Sequence, residues 1–188
     1  MIATQDALDL LQADHNQLKG LFDSFDQLCQ RQTSVFEKAA MARAICMYLS
    51  IHTQVEAELF YPALRGAVGA AVFPHRTAAE PLTKDLIARI SAMQPADPLC
   101  DARVAVLGSA IAHHVLYEER EIFPMARRSR VDLQALGARM QARKSALLAE
   151  YTEMAGGAGR FDEAQDPVGL ATPTPLGKAG RNSTGASA

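Results

Sequence analysis

Histidine and glutamate recur in this chain at one spacing in two matching contexts. His52-Thr-Gln-Val-Glu56-Ala-Glu58-Leu-Phe60-Tyr-Pro62 and His114-Val-Leu-Tyr-Glu118-Glu-Arg-Glu121-Ile-Phe123-Pro124 each hold a His, a Glu four residues later, paired large apolar residues and a closing Pro. On a helix, residues four apart share a face with Cβ atoms about 5–6 Å apart, so each stretch aims one imidazole and one carboxylate at the same point. Both pairs interrupt apolar stripes, which directs them inward. A neutral histidine is tolerated in a core with one partner, but a buried carboxylate is costly unless a positive charge compensates it. A cation between two such helices supplies that charge. Imidazole mixed with carboxylate suits iron, manganese or zinc rather than copper(I) or calcium.

The elements that must position these groups read as helices throughout. From Gln5 to Gln30, Leu8, Leu11, Leu18, Leu21, Phe22, Phe25 and Leu28 recur at steps of three and four, with His15 inside the stripe. Ser34 followed by Glu37 is a capping-box pattern, and the period then runs through Met41, Ile45, Leu49, Val55 and Phe60 toward Pro62, with His52 and Glu56 on that face. Gly66, Gly69 and Pro74 mark a loop, and a shorter helix is expected from near Pro81 to about Met93. The fourth helix spans about Leu99 to Arg128 and carries His114 and Glu118. A fifth segment, about Val131 to Met154, is expected to pack outside the bundle or cap its end, with no role at the site. Beyond Ala155 the chain turns to Gly, Pro, Ser, Thr and Ala, so 156–188 is expected to be a disordered tail. The predicted fold is all-α: an up-and-down four-helix bundle over 1–155 with an additional C-terminal helix.

Composition excludes several classes. The chain has 188 residues, 48% hydrophobic and 21% charged, with a formal net charge of −2. That leaves no basic surplus for nucleic acid. No apolar run approaches the roughly 20 residues needed to cross a bilayer, and the start lacks the pattern of a signal peptide, so the cytoplasm is the expected compartment. Cys29, Cys46 and Cys100 form neither a Cys-x-x-Cys pair nor an even framework, which suits a reducing environment and small core residues. No Ser-His-Asp order, phosphate loop or activated thiol is recognisable.

Taken together these residues resemble the hemerythrin-like proteins, the HHE cation-binding domains. The resemblance rests on Asp14-His15, on His52-x-x-x-Glu56 running into Phe60-Tyr61-Pro62-Ala63-Leu64-Arg65, and on His113-His114 through Glu118-Glu119 to Phe123-Pro124. It implies a four-helix bundle around a non-heme di-iron centre, with His15, His52 and His114 as terminal ligands and Glu56 and Glu118 as bridges. One departure matters. The family's third helix offers a Glu-His pair where this chain reads Ala79-Glu80-Pro81-Leu82, and proline has no ligating side chain. His75, Glu80, Asp85 or water are the alternatives for that place, so one metal position is expected to be under-ligated or empty, leaving di-iron and single iron both open. The expected function is binding, sensing or reacting with a small ligand such as oxygen, nitric oxide or peroxide. The rivals are iron storage or buffering, and a metal-free bundle that binds a protein partner through its fifth helix or tail. His113 projects about 100° from His114 and is read as exposed or as a supporting neighbour of the ligands rather than a ligand.

Overall fold

In the computed structural model the backbone is described for residues 5–68 and 76–157, and side chains for 5–67 and 81–154. Helix α1 spans Ala7–Gln30, α2 Val35–Val55, α3 Tyr61–Val68, α4 Arg76–Ser91, α5 Cys100–Tyr117, α6 Phe123–Arg128 and α7 Leu133–Gly157. Among the described residues every regular element is helical. Of the expected tail at 156–188, Gly156 and Gly157 belong to the end of α7, and the rest lies outside the described residues.

Capping starts the first two helices. Asp6 accepts from the backbone N–H groups of Leu8 and Asp9, and the Asp9 carboxylate accepts in return from the Asp6 N–H. Ser34 and Glu37 form the same reciprocal pair at α2, each closing donors that a helix start otherwise leaves unmade.

Helices α1 and α2 pack side by side, α2 on α4, α4 on α5 and α5 on α1, closing a four-helix square; α7 lies outside it against α1 and α2. Two apolar clusters fill the interior. One contains Leu8 and Leu11 of α1, Ile51 and Val55 of α2, Phe60, Leu64, Ile122 and Phe123, and the inner face of α7 with Leu136, Met140 and Leu147. The other contains Leu18, Leu21 and Phe25, then Met41 to Leu49, Leu86 and Ile90, and Cys100 to Ile111. Along α1 the first cluster precedes the second, along α2 and α5 the order reverses, and α4 ends in the second cluster. Successive helices of the square therefore run in opposite directions, the up-and-down arrangement. In α1 and in the stretch through α5 the change from one cluster to the other falls around residues 14–15 and 114–118, and in α2 it falls just before His52, between Leu49 and Ile51. The motif residues form a polar layer between two apolar ones.

Two expectations change. Pro62 does not close its helix, which runs on through α3, whereas the fourth helix passes Pro124 and ends at Arg128 as expected. Before each proline the helix widens by one residue into a π-turn, Glu56–Phe60 and Glu118–Ile122. A proline removes an N–H and its ring presses on the carbonyl four residues back, here those of Glu58 and Arg120. Widening the turn relieves that clash. The third-helix start also moves: α4 begins at Arg76, and Pro81 stands inside it. Cys46 and Cys100 are buried and Cys29 partly so, all three as free thiols, in keeping with the core role expected. Burial raises the Cys46 thiol to about 11.

Candidate metal centre

Each motif helix delivers its pair by ordinary α-helical spacing, and the π-turn begins at the glutamate itself. The N–H of Tyr61 bonds the Glu56 carbonyl, and that of Phe123 the Glu118 carbonyl. A five-residue step brings the residue five positions on beneath the glutamate. Tyr61 and Phe123 consequently turn into the site. The Tyr61 hydroxyl donates to Glu118 Oε1, and the Phe123 ring stacks on His15 at 5.6 Å between centroids, 9° from parallel.

All five residues expected from the sequence meet in the polar layer. His15, His52, Glu56 and Glu118 are buried, and one ligand atom from each lies within 4.8 Å of the others. Glu56 faces two histidines, with Oε1 3.3 Å from His52 Nε2 and Oε2 3.7 Å from His114 Nε2. Glu118 Oε2 also stands between two, 3.1 Å from His15 Nε2 and 3.4 Å from His114 Nε2. His114 is the outermost member, with its side chain 24% exposed against 0–3% for the other four. His113 is exposed, as expected.

The donor set fits a cation. Both ring nitrogens of His52 and Oε1 of Glu56 are buried without a hydrogen bond, an arrangement rare in protein interiors. Metal–nitrogen and metal–oxygen bonds of about 2.0–2.2 Å place ligand atoms on one ion no more than about 4.4 Å apart, close to the observed spread. The electrostatics agree. Burial works against the charged form of His52, yet the carboxylates of Glu56, Asp14 and Glu118 outweigh it and raise its pKa. Burial likewise opposes ionisation of Glu118, but the histidines and Tyr61 hold its pKa below the usual carboxylate range. The cage attracts positive charge.

Around the donors lies a ring of groups that orient them. Glu119 Oε1 is 2.9 Å from His15 Nδ1 and accepts from Gln12 Nε2 at 2.7 Å. Asp14 Oδ2 is 3.6 Å from His52 Nδ1, while its Oδ1 accepts from the Tyr48 hydroxyl at 3.0 Å and from Lys144. Burial would raise the Asp14 pKa, but His52 and Lys144 more than offset it and the net shift is downward. Carboxylates on the outer ring nitrogens of metal-binding histidines fix tautomer and orientation. From the sequence, Glu119 reads mainly as a solvated-face charge, Tyr48 and Tyr61 as packing, and the fifth segment as having no role here; Lys144 corrects the last of these. The signal available for Asp14 is its place beside His15 on the inward stripe.

The third-helix place is partly answered. Asp85 is exposed and paired with Arg89 at 2.6 Å, so it does not reach the centre, and Pro81 is exposed too. The side chains of His75 and Glu80 lie outside the described residues.

Comparison with known proteins bears on the fold and the family. A crystal structure of a hemerythrin HHE cation-binding-domain-containing protein from Mycobacterium kansasii shares the fold with a TM-score of 0.67, at 21% identity over 83% of this chain and 95% of that one. Comparison with curated protein sequences gives no match. The family profile described as the hemerythrin HHE cation binding domain matches residues 6–126. That span is well over half of the 188 residues, and the chain belongs to the hemerythrin HHE cation-binding family.

Proposed function

We propose that the protein holds non-heme iron in its bundle core and binds, senses or reacts with a small ligand, oxygen, nitric oxide or peroxide, beside His114. The observation that carries this reading is the convergence of His15, His52, His114, Glu56 and Glu118 in a buried layer where His52 and Glu56 keep atoms without hydrogen bonds. His15, His52 and His114 would be terminal ligands, with Glu56 and Glu118 spanning between them. Manganese and zinc suit the same donors. Pro81 in the third-helix place and the exposed, Arg89-paired Asp85 favour unequal metal positions, one well ligated and the other weak.

Bound iron would supply redox chemistry and an open coordination position. The chain supplies the rest. Phe123, stacked on His15, and Phe60 packed against it give the site an apolar wall that keeps bulk water out. Tyr61 holds its hydroxyl proton against Glu118 Oε1, where it steadies that carboxylate. Glu119 holds the outer nitrogen of His15, and Asp14 faces that of His52. The partial exposure of His114 marks the edge from which a small molecule approaches. Free thiols support a reducing, cytoplasmic setting, and among the described residues no helix is long and apolar enough to cross a membrane.

Stopped-flow mixing of ferrous protein with oxygen, nitric oxide or peroxide tests the reading. A new visible band dependent on the added ligand is expected. Iron uptake with no spectral response to any of the three would instead make the protein a store or buffer.

A further inference from the structure

Two histidines of the site share one pattern of support. His15 turns Nε2 toward Glu118 and Nδ1 toward Glu119, whose Oε1 also accepts from Gln12. His52 turns Nε2 toward Glu56 and Nδ1 toward Asp14. The difference lies in what holds the outer carboxylate. Gln12 belongs to α1, the same helix as His15, whereas Asp14 is held by Tyr48 of α2 and by Lys144 of α7, a helix outside the four-helix square. Lys144 Nζ also lies 3.1 Å from the Tyr48 hydroxyl oxygen. Two donors thus occupy Asp14 Oδ1 and leave Oδ2 facing the His52 ring.

We infer that Lys144 is a positioning residue for the metal centre: by clamping Asp14 it sets the tautomer and rotation of His52, and it joins α7 to the site from outside the square. The inference rests on the proposed function, in which His52 is a ligand. A histidine that binds metal through Nε2 carries its proton on Nδ1, and that proton needs an acceptor. Asp14 Oδ2 is the acceptor available, 3.6 Å away. Asp14 is 3% exposed, and a carboxylate buried that deeply is held in one orientation only while charged and hydrogen-bonding partners face it. Among the described residues the Lys144 ammonium is the lysine or arginine group in contact with it. The neighbouring Arg143 makes a different tie, from α7 to Glu58 at 2.7 Å on the protein surface. Adjacent residues of one helix therefore separate docking from positioning. The Lys144 stem lines a small, mostly apolar groove of about 150 Å³ with Met47, Ile51 and Leu148, so a methionine in its place keeps the packing and removes the charge.

The test uses the full chain as wild type, Lys144→Met, Lys144→Arg and Arg143→Met, with cobalt(II) alone as the probe. Lys144→Met is expected to weaken cobalt binding by about 10- to 100-fold, shift the cobalt visible bands, and move the His52 ring-nitrogen resonances of the metal-free protein. Lys144→Arg restores all three toward wild type. Arg143→Met lowers the melting temperature and leaves cobalt affinity and the His52 resonances in place. Tyr48→Phe, which removes the other donor to Asp14 Oδ1, moves the same readouts in the same direction by less, and serves if Lys144→Met does not fold. Cobalt affinity within about threefold of wild type, with His52 resonances unmoved in Lys144→Met, or in Tyr48→Phe where that variant stands in, overturns this inference alone. A wild type that binds no cobalt overturns the proposed function and this inference with it.

Discussion

Replacing Glu118 by glutamine is expected to weaken divalent-ion binding by more than about 100-fold, beyond the range seen when only an orienting partner is lost. Glu118 has the most central position in the cluster. Its Oε2 lies 3.1 Å from His15 and 3.4 Å from His114, and its Oε1 accepts from Tyr61. Glutamine keeps the length and one oxygen but loses the charge that balances the cation, and its amide N–H₂ points donors where a metal needs lone pairs. Calorimetric titration of metal into the purified protein measures the change. The quantity compared is binding to folded protein, so any effect of the substitution on metal-free stability is separated by recording melting curves with and without metal. Affinity within about threefold of wild type would remove Glu118 from the donor set.

Gly137→Ala is the substitution expected to damage the fold most for its size. Gly137 is buried in α7 where that helix crosses the start of α1. A Cβ there would lie 2.7 Å from the Ala7 nitrogen and the Asp6 carbonyl carbon, and 2.9 Å from the Gln5 oxygen. These are backbone atoms at a capped helix start and cannot swing aside. In a helix interior alanine is favoured over glycine by about 1 kcal/mol, so the intrinsic effect points the other way. Forcing volume into a packed interior costs about 1–3 kcal/mol or more, and the clash should win, lowering the melting temperature by roughly 4–10 °C. Gly20→Ala is the control. Nothing lies within 4 Å of its Cβ, and there alanine should stabilise by about 0.5–1 kcal/mol. Thermal denaturation followed by circular dichroism reads both. A Gly137→Ala protein as stable as wild type would mean that α7 does not sit against the α1 terminus as described.

Much of this architecture is legible before any coordinates, and the parts that are not share a cause. The five donors can be read from sequence because each glutamate lies four residues from its histidine on an apolar stripe, a local pattern that survives in one dimension. The helices of the bundle are legible for the same reason, and Ser34 with Glu37 marks a start because its partners are three apart. The cap at Asp6 is harder to see because its partner at the third position is Asp9 rather than Glu or Gln. The π-turns leave little trace, since one extra residue shifts the apolar step only from four to five, and the prolines that cause them look like terminators. Tyr61 enters the site only because of that shift. Lys144 and Asp14 are 130 positions apart, and no periodicity links them. A lysine on an amphipathic helix reads as a solvated charge until the helix is docked. The α4 start at Arg76 is hidden because proline is favoured in a first turn, whereas here Pro81 follows that turn.

A cation among the histidines and glutamates of the polar layer is the claim from which the rest follows. Elemental analysis measures it most directly. The wild-type protein is reconstituted anaerobically with ferrous iron, freed of unbound metal, and assayed for iron per chain. About one to two equivalents should be retained, the higher figure if the weaker position fills. Less than about a tenth of an equivalent, with the protein folded, would contradict that claim.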